Sequence, residues 1–191
     1  DWKGGAAIRS NLRGQRESDG DPIVIDVDDL QDAILEMGDE FLVAHDIWFV
    51  ATGGYLYDHA GIKAFLNEHR RDIRGAFLVN LESIGAGELS VIVNEGLHQP
   101  RRADRRLVRM IRTIAEDLHI SLDTAIYDWD ECESASCMRS RIRSVSIMGM
   151  DDNNLPAYSH TSSDIPDNVD PRQVSSVVRI ILNYIRSIGF C

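Results

Sequence analysis

No apolar run in this 191-residue chain is long enough to cross a bilayer as a helix. No basic segment followed by an apolar one opens it, so no signal segment is expected at its start. Cysteine is scarce, and three residues do not make a disulfide framework. Cys132 and Cys137 lie close enough in sequence to bridge locally, which would leave Cys191 over. Positive charge is also short. Twenty Lys and Arg stand against 31 Asp and Glu, a formal charge of −11. That balance argues against a nucleic-acid partner, whose binding needs clustered cations to displace counterions. The one basic cluster, Arg101-Arg102 with Arg105-Arg106, opens a helix and reads as a solvated face. Internal repeats and low-complexity tracts are missing. The chain starts at Asp1 without Met and reads as a fragment of a longer protein.

What is present suits one α/β domain. Apolar residues make up 43% and charged residues 27%, ordinary for a globular protein, and the length is enough to bury a substantial core. Residues 1–21, rich in Gly, Arg, Asp and Ser, read as an irregular N-terminal segment. Residues 22–191 read as a single domain. Pro22 to Ile25 reads as a short buried strand. Leu30, Ala33, Ile34, Met37, Phe41 and Ala44 then recur at helical spacing, which predicts a helix from Asp28 to Ala44 with acidic residues at its positive end. Ile47 to Thr52 is a continuous apolar strand of the kind covered on both faces. The turn Gly53-Gly54-Tyr55-Leu56-Tyr57-Asp58-His59 leads into a helix from Asp58 to His69. Further strands are expected at Gly75–Leu81, Thr124–Tyr127 and Ser144–Met148. Glu88–Asn94 alternates in the manner of an outer strand. Ala103–Leu118 is an amphipathic helix. Asp151 to Asp170 is a long polar loop, and loops of that length are usually functional or disordered. A last helix follows, with Asp170 as N-cap, Pro171 at its first position and Gln173 completing a capping box. Strands alternating with helices imply a three-layer sandwich, a mixed but largely parallel sheet with helices on both faces.

Polar residues gather just after the strand ends: Asp26 and Asp28, then Tyr57-Asp58-His59, Glu82, and Asp128 with Asp130, with His160 in the long loop. The carboxyl ends of parallel strands share one edge of a sheet. Carboxylates and a histidine converging there suit a divalent metal such as zinc, which takes such ligands and acidifies a bound water. Each residue also has a plain reading. His160 fits a surface loop, and Glu82 fits a salt bridge that offsets the cost of burial. Gly85-Ala86-Gly87 lacks the glycine pattern and the following helix of a phosphate loop. Asp26-Val27-Asp28-Asp29 lacks the Gly and Glu of a calcium loop.

Three segments resemble the M28 family of zinc aminopeptidases, from about Pro22 to Ile188. Trp48 to Gly53, with Gly61-Ile62-Lys63-Ala64-Phe65 beyond, is similar to the family's strand, metal turn and helix. Asn80-Leu81-Glu82-Ser83-Ile84-Gly85 is similar to its N-L-D-x-I-G segment. Tyr158-Ser159-His160-Thr161-Ser162-Ser163-Asp164, with the residues leading to Asp170, is similar to its closing H-T-x-x-D. The resemblance implies an α/β exopeptidase fold with two zinc ions and a peptide or protein substrate, in a secreted or membrane-tethered setting. His160 matches the last metal histidine, and Glu82 matches a metal-binding Asp. Asp26-Val27-Asp28 either occupies the family's H-x-D slot with Asp for His, or one of the two Asp residues takes the bridging position; the spacing permits both. Asp128 to Glu133 falls where the family's second acidic motif meets substrate, making Asp128 and Asp130 substrate-binding candidates. Cys132 and Cys137 fall close to a local disulfide of some members.

The departure from the family is at the turn. Two adjacent glutamates should follow Gly53-Gly54, one a general base and one a ligand, and this chain has Tyr55 and Leu56. Leu cannot ligate a metal, and Tyr is a poor base near neutral pH. Asp58 and His59 are the nearby groups that could substitute. Two functions compete: a zinc exopeptidase of weak or no activity, and a non-catalytic pseudopeptidase that binds peptides or proteins. A hydrolase built on Ser136 or Cys137 ranks last, because neither has a base at motif spacing.

Overall fold

The computed structural model describes residues 47–189. The expected strand at Pro22–Ile25 and helix at Asp28–Ala44, with Asp26 and Asp28, lie outside the described residues. The described elements are α1 (Ala60–Glu68), β1 (Phe77–Glu82), β2 (Glu88–Glu95), β3 (Arg101–Arg102), α2 (Arg105–Asp117), β4 (Asp123–Tyr127), α3 (Glu133–Arg139), β5 (Arg143–Met150), a 3₁₀ turn at Pro166–Asn168, and α4 (Pro171–Gly189).

The five strands form one sheet in the order β1-β5-β2-β3, with β4 also paired to β2. Among the described residues the sheet is mixed, with two parallel and two antiparallel strand pairings where a largely parallel sheet is expected. β1 runs parallel to β5 and β4 parallel to β2, but β2 runs antiparallel to both β5 and β3. The expectation for β2 is corrected too, since it is the central strand. Its alternating polar positions misled because Ser90 is buried beneath another layer, not turned to water. Small hydroxyls of this kind can be buried when they find partners.

Directly paired residues share a face of a sheet. The register places Asn80, Ser146 and Ile92 in one row and Glu82, Met148 and Ser90 in the next. Successive side chains alternate across the pleat, so Leu89, Val91, Val145 and Ile147 lie on the opposite face. There they form the main core with Leu107 and Ile111 of α2 and Val177, Ile180 and Ile181 of α4. On the first face, Ile92, Met148, Met150, Tyr127 and Cys132 form a smaller cluster. Ile62 and Leu66 of α1 pack with Cys137 of α3, against Leu78.

Helix α2 forms because its apolar residues fall on one stripe and its start is capped. Asp104 Oδ1 accepts the backbone N–H groups of Arg106 at 2.9 Å and Leu107 at 3.1 Å. Past its end, His119 turns left-handed while the Ile120 N–H reaches the Ala115 carbonyl. Helix α4 begins at Pro171 as expected, with Asp170 Oδ1 accepting the Arg172 N–H. Gln173 does not complete a capping box. Its amide donates to the carbonyls of Ile84 and Ala86, each at 3.0 Å, and the Asp170 N–H donates to Gly85. These bonds tie the loop after β1 to the start of α4.

Two more expectations change. Residues 47–52 pair with no strand among the described residues, although their sides alternate as a strand's would. Ile47 and Phe49 pack on the main core, while Trp48 meets the Phe65 and His69 rings of and beside α1. Helix α1 begins at Ala60 and not at Asp58, because Asp58 and His59 both sit at positive φ and cannot continue a right-handed helix.

Candidate functional site

The turn between residue 52 and α1 is compact because two glycine backbones nearly touch. A Cβ on Gly61 would stand 2.2 Å from the Gly53 carbonyl oxygen, and the Gly61 N–H donates to that same oxygen at 2.9 Å. Tyr57 and Ala60 N–H groups both donate to the Gly54 carbonyl. This wrapping turns Tyr55 inward and leaves Leu56 and Tyr57 outside, 77% and 82% exposed. Among the described residues, five of the eight non-glycine residues at positive φ are Asp58, His59, Ser83, Tyr158 and His160. They come from three separate loops, and the first and third meet where the Tyr55 ring lies near those of His59 (centroids 4.7 Å) and His160 (6.4 Å). Backbone held in sparsely populated regions tends to concentrate at functional sites.

Beneath Tyr55 lies a buried polar layer between the sheet and α3. Glu95, at the end of β2, is only 2% exposed. Its carboxylate accepts the Cys132 backbone N–H at 2.7 Å and the Ser134 hydroxyl. Ser134 in turn shares a 2.7 Å hydrogen bond with Ser146, and Asn80 donates to Ser146 at 3.3 Å. Ser144 donates to the Ser134 carbonyl at 3.0 Å. Glu133, at the first position of α3, accepts from the Thr52 hydroxyl. That bond ties α3 to the segment leading into the turn.

The electrostatics follow from three carboxylates sharing a space with little water. Burial is the main force raising the Glu82 pKa above the usual carboxylate range. Hydrogen bonds from Cys132 and Asn80 partly offset it, while the Glu95 and Glu133 charges add to it. Burial and then the Glu82 charge push the Tyr55 hydroxyl far above its ordinary value. Burial also raises Tyr127, with a smaller opposing contribution from its hydrogen bond to Tyr55. The Cys132 thiol is driven well up by burial and by the charges of Glu95 and Glu82. Tyr55 and Cys132 therefore stay protonated near neutral pH and act as hydrogen-bond partners, not as bases or nucleophiles.

The candidate residues divide as follows. Tyr55, Glu82 and His160 come toward one place, the end of β1 and the turn above it. Leu56 points away into solvent. Asp128 and Asp130 stand on the exposed loop after β4; Asp130 is near enough for its charge to act on Tyr55 and Tyr127. Asp58 is also exposed and pairs with Lys63 at 2.6 Å, so it turns away from the site. His59 is buried against Tyr55, and its Nδ1 has no hydrogen-bond partner among the described residues. Cys132 and Cys137 form no disulfide: both are buried free thiols. Five positions apart around the start of one helix, they point roughly 140° from each other, into two different clusters.

A zinc ion takes three or four protein donors at bonding distance. Among the described residues, no three His, Cys, Asp or Glu side chains gather closely enough to hold a metal. Glu82 is directed into the hydrogen bonds with Asn80 and Cys132, and His160 lies on the exposed side of Tyr55. The described residues therefore do not by themselves fit a zinc centre. Sequence reasoning missed Glu95, Ser134 and Ser146. A signal existed for Glu95: like Glu82, it is a carboxylate closing an apolar strand.

No protein-family model matches the sequence, and neither does any curated protein. The fold does have likenesses among solved structures. The LapA aminopeptidase of Legionella pneumophila superposes with a TM-score of 0.53 at 14% identity, covering 75% of this chain and 38% of LapA. BSAP, a zinc aminopeptidase from Bacillus subtilis, gives 0.50 at 16% identity, covering 68% of this chain and 32% of BSAP. A P. knowlesi homologue of P. falciparum PNP also gives 0.50 at 14% identity, covering 68% of this chain and 69% of that one. The chain thus has an aminopeptidase-like α/β fold, and it spans well under half the length of either aminopeptidase.

Proposed function

We propose that this chain is an M28-type exopeptidase domain, a three-layer α/β sandwich, whose metal centre is incomplete and which binds a peptide or protein without hydrolysing it. The observation that carries this reading is the state of Tyr55 and Leu56. In the family the chain resembles, the turn after Gly53-Gly54 delivers one carboxylate to take a proton from water and another to hold metal. Tyr55 stands at the first position with its hydroxyl kept protonated by burial and by the nearby Glu82 charge. It can donate or accept a hydrogen bond, but a group of that basicity does not shuttle a proton at neutral pH. Leu56 brings no donor atom and faces solvent.

The groups that could substitute are otherwise engaged. Asp58 is held by Lys63 on the outside of the turn, and His59 is buried behind the Tyr55 ring. In a complete family centre, zinc would supply a polarised water and grip the substrate carbonyl. Here Tyr55 is hydrogen-bonded to Tyr127 at the end of β4 with the Glu82 charge nearby, and the His160 ring lies beside that of Tyr55. Trp129 and Tyr158, on the loops that carry Asp130 and His160, are exposed, as are Asp128 and Asp130. Such a mixture of aromatic and acidic groups suits a peptide ligand.

The test is turnover. The purified chain, supplied with zinc, is incubated with aminoacyl p-nitroanilides representing apolar, basic and acidic side chains. The expected result is release no faster than the buffer blank. Release that a chelator stops and that His160→Ala removes would establish a working peptidase instead.

A further inference from the structure

Two of the arginines that the sequence singles out as a solvated face, Arg102 and Arg105, join Arg109 and Arg112 in lining a groove. It has a volume of about 540 Å³ and lies between α2 and the β2–β4 end of the sheet. Arg102 of β3 and Arg105, Arg109 and Arg112 of α2 border it, with Val93 and Ile126 among its apolar walls. The three α2 arginines recur at i, i+4 and i+7, so they form one row on the helix. At the rise of an α-helix this row is about 10 Å long. Ile126 directly precedes Tyr127 on β4, so it points to the opposite face of the sheet. The groove is therefore separate from the space around Tyr55.

These cations are not consumed by the fold. Arg112 pairs with Glu116 at 3.5 Å, but Arg102, Arg105 and Arg109 have no ion-pair partner among the described residues. Their position also works against the helix that carries them. Arg105 opens α2, Arg106 follows it, and the first turn holds no acidic residue. Cations at the positive end of a helix dipole cost stability. In a chain with 31 acidic and 20 basic residues, four arginines around one partly apolar groove are a local reversal of sign. Ile126, 52% exposed, leaves a hydrophobic surface beside them.

We propose that this groove binds a short acidic segment of a partner protein, one that alternates carboxylate and apolar side chains. The row of arginines is too long for one small anion to engage, and a small anion would leave Ile126 and Val93 unused. A long polyanion such as nucleic acid fits poorly for another reason. Beyond the groove it would meet a surface whose net charge is negative. A short acidic and apolar peptide matches both the charge and the walls.

Fluorescence anisotropy on the full chain tests this. A short fluorescein-labelled peptide rich in Glu and Leu is compared with its Lys-for-Glu counterpart and with a thymidine oligonucleotide. The Glu and Leu peptide should bind, and binding should weaken as salt is raised. Joint reversal by Arg105→Glu and Arg109→Glu should weaken it on the order of tenfold. Both side chains are exposed, and removing cations from that helix end does not threaten the fold. Reversal of the exposed Arg70 and Arg71, just beyond α1, should leave binding unchanged. No binding at low salt, or equal binding by the groove variant, overturns the proposal. Tighter binding of the oligonucleotide, abolished by the same groove variant, overturns the peptide assignment. None of these outcomes depends on whether the chain hydrolyses peptides.

Discussion

Glu95 has almost no contact with water, yet its carboxylate organises three segments. It receives the Cys132 N–H and the Ser134 hydroxyl, and Ser134 passes the network on to Ser146 of β5. Removing the acceptor strands two buried donors, each costing about 1–3 kcal/mol. Glu95→Ala should therefore lower the free energy of unfolding in urea by about 3 kcal/mol; a change under about 1 kcal/mol would mean that water or a rearranged Ser134 takes its place. The cysteines give a second prediction at this scale. Cys132 is pushed well up in pKa by burial and flanking carboxylates, and Cys137 up to about 12, chiefly by burial. Both should resist a thiol reagent in the native protein near neutral pH and react once urea unfolds it, with peptide mapping to locate the label. Rapid native labelling of either would contradict the packing. The site residues legible in the sequence, Tyr55, Glu82 and His160, follow strands or sit in a resembling motif. The Glu95–Ser134 pair was not legible because its members are 39 positions apart, and only the fold brings α3 over the end of β2.

Among elements, β5 has the least freedom to change. At Gly149 an added Cβ would stand 1.9 Å from the Ala86 carbonyl oxygen and 2.4 Å from that of Ser83. Both are backbone atoms of the loop that Gln173 and Asp170 tie to α4, so the loop cannot yield cheaply. Gly149→Ala should cost at least about 1–3 kcal/mol and lower Tm, as followed by circular dichroism. Unchanged stability would show that the loop is looser than its hydrogen bonds imply. Helices α2 and α4 were legible because each has an apolar stripe and an Asp cap. Helix α3 was not: Glu133-Ser134-Ala135-Ser136-Cys137 has no apolar period, and its burial rests on small residues under other elements. The place of β2 was illegible for a related reason, since hydroxyl and carboxylate side chains in a strand look water-facing until a second layer covers them.

At the scale of the molecule, the fold and the function separate. The α/β fold is similar to that of two aminopeptidases and of a PNP homologue, so the fold does not choose the chemistry. In the proposed function the choice lies in the turn from Gly53 to His59, where the side chains that face the site are a tyrosine and a histidine, and the next residue outward is a leucine. The acid excess sets the wider field, leaving the arginine groove as a local exception. In the proposed function this turn leaves a peptidase-type centre unable to hold its metal. Zinc content of the full chain after equilibrium dialysis, measured by plasma mass spectrometry, tests it most directly. The expected content is far less than one zinc per chain, with no change in His160→Ala or Glu82→Ala. One or two tightly held zinc ions per chain, lost in either variant, would contradict it.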